Sequence, residues 1–242
     1  AAASRYANIG IPMALFSVRE AKAVAEISVS ALLDIFDKCT YPVFEWNLFI
    51  AQLKKSKRLV WLTDDYIESH FDLFFIEKIL DSFSIDIELI PKNGRHGNDL
   101  SGTDLETLLR NPTFKNLLCY LDQGRLCINP DGPRMGAANI RKFSDRMVSS
   151  IASSDMLVMK GCRIHEMLQG GLGIPTFSAY VVTRTLSEQV SGFDSSNHPV
   201  LFFHLAPGEY SFWGINKKDS KTAFFASGKQ VCSTHCTTHE HT

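Results

Sequence analysis

The chain has 242 residues, 45% hydrophobic and 21% charged, with a formal net charge of −1. That length suits one large domain, or one domain with a small appendage, and is enough to bury a core. The composition excludes intrinsic disorder, and the balanced charge argues against nonspecific nucleic-acid binding and against a basic, membrane-seeking surface.

Residues 17–37, SVREAKAVAEISVSALLDIFD, space their apolar positions for a helix, with Ser17 and Glu20 placed as a capping box. A short helix is expected over 44–54. The pattern then changes. RLVWLT (58–63) predicts a buried strand, and it runs abruptly into Asp64-Asp65. Residues 69–83 carry Phe71, Phe75, Ile79 and Phe83 at helical spacing, and SIDIELI (84–90) alternates as a strand. PKNGRHGND is a loop, and 103–110 a helix capped by Ser101 or Thr103. Either LLCYL or RLCIN is the next strand. Further on, 136–152 is expected to be helical, DMLVMK (155–160) a buried strand, 163–169 a short helix and SAYVVT (178–183) a strand.

AAASRYANIGIPMALF lacks the positive n-region and clean apolar core of a signal peptide. No stretch reaches the ~18 apolar residues of a membrane span, so a cytoplasmic location is expected. Of the six cysteines, Cys39, Cys119, Cys127 and Cys162 are scattered and read as free thiols in a reducing compartment. CSTHCTTHEHT gathers Cys232, His235, Cys236, His239 and His241, all ligand types. A structural zinc site normally closes with ligands on two separated arms, so a flexible tail is expected there.

Alternating strands and helices predict an α/β fold: a Rossmann-like three-layer α/β/α sandwich with a mainly parallel sheet. The expected organisation is a helical N-terminal segment (1–54), an α/β domain (55–228) and the tail (229–242). In such sheets ligands bind outside the carboxyl ends of the strands. Four polar clusters fall there: Asp64-Asp65, Asn98-Asp99, Lys160-Gly161 and Thr183-Arg184-Thr185.

Adjacent carboxylates repel and call for a compensating charge. Asp64, Asp65 and Asp99 are hard oxygen donors with no His or Cys beside them, which suits Mg²⁺ or Mn²⁺ better than structural zinc. Lys160 and Arg184 would face a second anion. A phosphate bridging metal and bases is the simplest such arrangement. Gly161 and the following helix N-terminus could add N–H donors. Each residue also has a plain structural reading: Asp64 as a helix N-cap, Asp99 as a turn residue, Lys160 as the first solvated residue past its strand, Arg184 as the partner of Glu188. Glu68 and Asp72 are expected to face solvent or a neighbouring base. His70, His165 and His204 are expected in core or surface roles, and Cys162 has no identifiable base. There is no G-x-x-x-x-G-K-[ST] loop, the first acidic pair is D-D rather than D-x-D, and GGLG (170–173) follows no strand.

The order of these clusters resembles the metal-dependent damage-control phosphatases, long known as a domain of unknown function. Within them it is closest to the sugar-phosphate phosphatase branch, also described as acidic-residue methyltransferase-like. DDYIESHFD, with Asp64, Asp65, Glu68 and Asp72, stands where the family has a strand running into D-N, then Gly-Glu, then Asp. NDLSGTD, with Asn98, Asp99 and Asp104, matches a loop ending in N-D. SDMLVMKGCRIHEML matches a strand ending in Lys-Gly, TRTLSEQ an Arg-Thr-Leu-Lys element, and FWGINKKDSKTAFF a closing Trp-Gly stretch. The likeness runs over residues 55–228.

The resemblance implies a divalent ion (Mn, Ni, Co or Mg) on Asp64, Asp65 and Asp99. It implies a phosphate held by Lys160, Gly161 and Arg184, with Glu68 at the substrate and Asp64 and Lys160 as catalytic residues. The implied substrate is a small phosphorylated metabolite such as a sugar phosphate, with no nucleic acid and no membrane as partner. Four positions depart from the pattern: Asp65 replaces Asn, Ile67 replaces Gly, Ile164 replaces Asn and Ser187 replaces Lys. Longer family members carry a larger helical N-terminal region, which implies a more open pocket here. The departures leave room for a repurposed metalloenzyme with non-phosphatase chemistry in a biosynthetic pathway. Protein-carboxyl methyl transfer and an inactive binding module are the remaining alternatives, and no glycine-rich loop follows the first strand to hold an adenosyl cofactor.

Overall fold

The computed structural model describes residues 41–94, 96–97, 99–134, 142–168, 172–182, 193–194, 199–209, 214–215, 222–224, 229–232 and 238–240. The helix expected over 17–37 lies outside them. β1 (Val43–Phe44) and α1 (Trp46–Leu53) lead into β2 (Arg58–Leu62) and α2 (Tyr66–Ser82). Then come β3 (Asp86–Ile90), α3 (Gly102–Leu109), a 3-10 turn (Pro112–Phe114), α4 (Lys115–Asp122) and β4 (Leu126–Ile128). α5 (Asp145–Ala152), β5 (Met156–Lys160), α6 (Cys162–Leu168), β6 (Thr176–Val181) and β7 (Val200–Leu205) complete the main sheet.

That sheet has seven strands in the order β1-β7-β6-β5-β2-β3-β4. β2 to β6 run parallel, β7 is antiparallel to β6, and β1 pairs parallel with β7. The chain moves outward from β2 through β3 to β4, then returns to lay β5 on the other side of β2. The topological switch point therefore lies between β2 and β5, which is where open α/β sheets form their ligand crevice.

β2 shows why the fold has three layers. Its run Leu59-Val60-Trp61-Leu62 is buried throughout. Leu59 and Trp61 join Leu73, Ile76 and Phe49 on one face, while Val60 and Leu62 join Met147, Ile151 and Ile164 on the other. A strand covered on both faces reads as a continuous apolar run rather than an alternating one. The fold is thus the expected α/β/α sandwich around a mainly parallel sheet.

Several elements differ from expectation, each for a physical reason. α2 starts at Tyr66 rather than at 69 because Asp65 caps it, its Oδ1 accepting from Ile67 N–H at 2.8 Å. LLCYL belongs to α4, and the strand is RLCIN. β1 lies within the stretch expected to be helical, and hydrogen-bonds along β7. β7 itself, VLFFHL, had no counterpart in the sequence reading. Further along the chain β8 (Gly214–Ile215), β9 (Thr222–Phe224), β10 (Lys229–Cys232) and β11 (Thr238–Glu240) pair in order as a four-stranded antiparallel sheet. β-branched Val231, Thr222 and Thr238 favour such extended pairing. His235, Cys236 and His241 lie outside the described residues. Among the described residues no helix is long and apolar enough to cross a membrane, and Cys119, Cys127 and Cys162 are free thiols.

Candidate functional site

Two strand ends converge at the switch point. Past β2, Asp65 turns the chain into α2, its carbonyl accepting from Ser69 N–H at 3.0 Å and Ser69 Oγ at 2.7 Å. Past β3, the loop doubles back. Leu100 N–H donates to Asp64 O at 2.7 Å, and Lys92 N–H donates to Leu100 O at 2.9 Å. Asp65 and Asp99 face each other across an isolated antiparallel bridge. Directly opposed residues of that kind sit with Cα atoms about 4.5–5.5 Å apart, so the loop carries Asp99 to the acidic pair.

Asp64 is held from two sides. Its Oδ1 lies 3.5 Å from Lys92 Nζ. Its Oδ2 rests over the backbone of Gly161, where any Cβ would overlap the carboxylate and come within 2.9 Å of Asp64 Cβ. Gly161 also has φ of +89°, in the left-handed region, so both conformation and space demand glycine. Asp64 is therefore not the helix N-cap; Asp65 takes that role.

Burial raises the pKa values of the acids here, and like charge adds to the rise. Asp65 is pushed up to about 6 by burial, with Asp64 and Asp99 adding repulsion against the N–H groups of Ile67 and Glu68. Asp99 is likewise pushed up to about 6 by burial, with Asp64 adding and Lys92, Arg163 and His96 offsetting. Asp99 Oδ2 is buried without a hydrogen-bond partner. Hard oxygen donors, mutual repulsion and an orphaned buried carboxylate oxygen are what a divalent cation would relieve, so the donor set fits such an ion in its chemistry. Among the described residues no three His, Cys, Asp or Glu side chains are placed together so as to hold a metal ion: Asp64 leans on Lys92 and Asp65 on the α2 backbone.

The structure places Lys160 and Glu68 inside the protein. Glu68 and Asp72, one helical turn apart on α2, both contact Lys160 Nζ at the end of β5, Asp72 Oδ1 at 2.9 Å. Lys160 is 2% exposed, Glu68 1% and Asp72 4%. Of the two expectations for Glu68 and Asp72, the neighbouring base holds and solvent does not. Burial pushes both acids up, Glu68 well up, against the pull of Lys160. Burial alone would lower Lys160, but Asp72 and Glu68 outweigh it and hold the ammonium above its ordinary value. The Trp61 indole N–H steadies Asp72 electrostatically, although neither Trp61 Nε1 nor Asp72 Oδ2 has a well-formed hydrogen bond.

Other expected residues fall as follows. Gly161 is at the site, but its N–H donates to Ala179 O at 2.9 Å, and α6 behind it has seven residues. Asp104 forms a capping box with Ser101. Ile164, where the family has Asn, is fully buried in the apolar cluster against α5. His165 is a core residue: it stacks on Tyr180 at 4.9 Å and shares a hydrogen bond of 3.0 Å with Ser178 Oγ. Asn98, Arg184 and Ser187 lie outside the described residues. Lys92 escaped the sequence reading because a polar loop, PKNGRHGND, surrounds it, yet its side chain is fully buried. Its signal was position, two residues past β3 on the ligand edge of the sheet.

Beside this cluster lies a cleft of about 560 Å³, lined by Lys92, Asn93, Ser101, Thr103, Asp104 and Pro130. Asn93 also borders a hollow of about 400 Å³ with Asp131, Arg134 and Lys142. Gly132 lines this second hollow, packed so tightly on the Pro91 carbonyl that no Cβ fits.

A mainly parallel seven-stranded sheet covered by helices, with acidic residues and a buried lysine at the strand ends beside the switch point, defines a Rossmann-like α/β protein. The chain matches the damage-control phosphatase ARMT1-like domain over residues 13–194 and belongs to that family. The match starts earlier and ends earlier than the motif likeness over 55–228, leaving the Trp-Gly stretch outside it. No curated protein sequence matches the chain. Among solved structures it is similar to a DUF89 family protein from Pyrococcus horikoshii, with 17% identity and a TM-score of 0.55, over 67% of this chain and 54% of that one. This likeness shows the fold, and the chain spans about half the length of that protein.

Proposed function

We propose that the chain is a divalent-metal-dependent phosphatase of a small phosphorylated metabolite, such as a sugar phosphate, acting in the cytoplasm. The α/β unit over 55–228 would carry the activity, with Asp64, Asp65 and Asp99 holding the ion. The observation that supports this reading is the backbone bridge between Asp65 and Asp99, which in a chain of this family brings the loop past β3 alongside the Asp64-Asp65 strand end. A bound Mg²⁺, Mn²⁺, Co²⁺ or Ni²⁺ supplies positive charge against phosphoryl oxygens and acidifies bound water. The residues of the chain do the positioning. Gly161 and Lys92 fix Asp64, Asp65 anchors α2, and the adjoining cleft accepts the non-reacting part of the metabolite. Arg184, by its place in TRTLSEQ, is the guanidinium proposed for the phosphate.

Phosphate release from a panel of sugar phosphates and generic esters, with each ion in turn, tests this. Activity that needs the ion and disappears in Asp64→Ala supports it. A panel left intact with every ion refutes it. One observation favours a second reading, a metalloenzyme of the same fold with non-phosphatase chemistry: Ile164 puts a buried apolar side chain where the family has an amide. That reading predicts ion binding by calorimetry with no phosphate release.

A further inference from the structure

The site holds two buried lysines, and their surroundings differ. Lys160 Nζ is already balanced by Glu68 and Asp72 on the α2 side of the sheet. Lys92 instead reaches Asp64 Oδ1 at 3.5 Å, with its own side chain wholly shielded from solvent. Its backbone leaves it little freedom. Pro91 precedes it under the close packing of Gly132, its N–H is bound to Leu100 O, and it bridges to Ser101. It also acts on Asp99, whose charge it favours.

We propose that Lys92 is the built-in counter-ion of the Asp64, Asp65 and Asp99 cluster. It is a positioning residue, which holds Asp64 over Gly161 and offsets one of three negative charges. Because its side chain is wholly shielded from solvent, it acts on a substrate through the carboxylates it faces and not as a phosphate ligand. The inference rests on the metal-site reading above. It makes an opposed pair of demands. Without the ammonium the cluster attracts a divalent cation more strongly, since a cation near the site repels it. Asp64, however, loses the contact that orients it.

Calorimetric titration of the metal-free full chain with Mn²⁺ separates these effects. Lys92→Met should bind the ion about tenfold more tightly than the wild type, while kcat on the best phosphate ester falls by at least about tenfold and KM stays as it was. Lys92→Arg, which keeps the charge, should keep the wild-type affinity. Ion binding by Lys92→Met that is unchanged or weaker overturns the proposal, as does a rise in KM with kcat preserved, the mark of a direct phosphate contact. Should Lys92→Met fail to fold, Lys92→Gln carries the same predictions, because it removes the charge and keeps a polar head. A wild-type chain that binds no divalent ion overturns the metal reading itself, a result distinct from either outcome for Lys92.

Discussion

The carboxylate of Asp64 lies directly on the backbone of Gly161, in the space a side chain at 161 would occupy. The contact joins the ends of β2 and β5 across the switch point, so the sheet topology itself orients the acid. Gly161→Ala should therefore displace Asp64 and strain a backbone at φ of +89°. Urea unfolding should show a loss of about 2–4 kcal/mol. Divalent-ion affinity should fall with it. A variant as stable as the wild type would mean that the contact is loose.

Lys160 joins β5 to α2 through Glu68 and Asp72. Removing one partner of a buried ionic cluster leaves uncompensated charge, at a cost of about 3–5 kcal/mol. Lys160→Met should show that loss in denaturant unfolding. The triple variant Lys160→Met, Glu68→Gln, Asp72→Asn should recover a large part of it, because no net charge is then stranded. Equal instability of the two would show that the lysine stem, rather than the ion cluster, carries the stabilisation.

Asp65 is the residue that departs most directly from its family at the site. Its side chain caps α2, a role Asn fills equally well, while its charge repels Asp64 and Asp99. Asp65→Asn should therefore stabilise the metal-free chain at neutral pH by about 1–2 kcal/mol, as relief of a raised pKa requires. The same change should weaken ion binding. A fall in metal-free stability would show that the repulsion is already neutralised in the native protein.

His165 provides the pH signature of the core. Burial lowers its pKa to about 3, below the ordinary 6.5. A depressed folded value means that its contribution to stability is complete above pH 6.5 and is lost as the pH falls toward 3. NMR should show a neutral ring with no titration between about pH 5 and 8. Stability measured against pH should fall less steeply on the acid side in His165→Gln than in the wild type. A ring that titrates near 6.5 would contradict the buried placement.

Much of this arrangement was legible in the sequence, for reasons particular to each part. RLVWL and MLVMK read as buried strands because both sheet faces are covered, and the strand-end rule then singled out Asp64, Asp65, Asp99 and Gly161. Side-chain direction was not legible. Lys160 ends a strand and looked ready to meet solvent, but its position in β5 turns it toward α2. Glu68 and Asp72 are spaced i,i+4, which fixes a shared face without saying what that face meets. Lys92 was hidden by its polar neighbours, since only the return of the loop to Asp64 buries it. β7 lies past a stretch with no clear periodicity, and pairs antiparallel where the strands from β2 to β6 run parallel.

In the proposed function, Asp64, Asp65 and Asp99 hold a divalent ion that supports phosphate release. The most direct measurement of this is paired calorimetry and phosphate release on the wild type and Asp64→Ala across Mg²⁺, Mn²⁺, Co²⁺ and Ni²⁺. The account predicts one ion bound per chain by the wild type, ester hydrolysis that depends on that ion, and loss of both in Asp64→Ala with the fold intact. Ion binding or hydrolysis that persists undiminished in Asp64→Ala would contradict it.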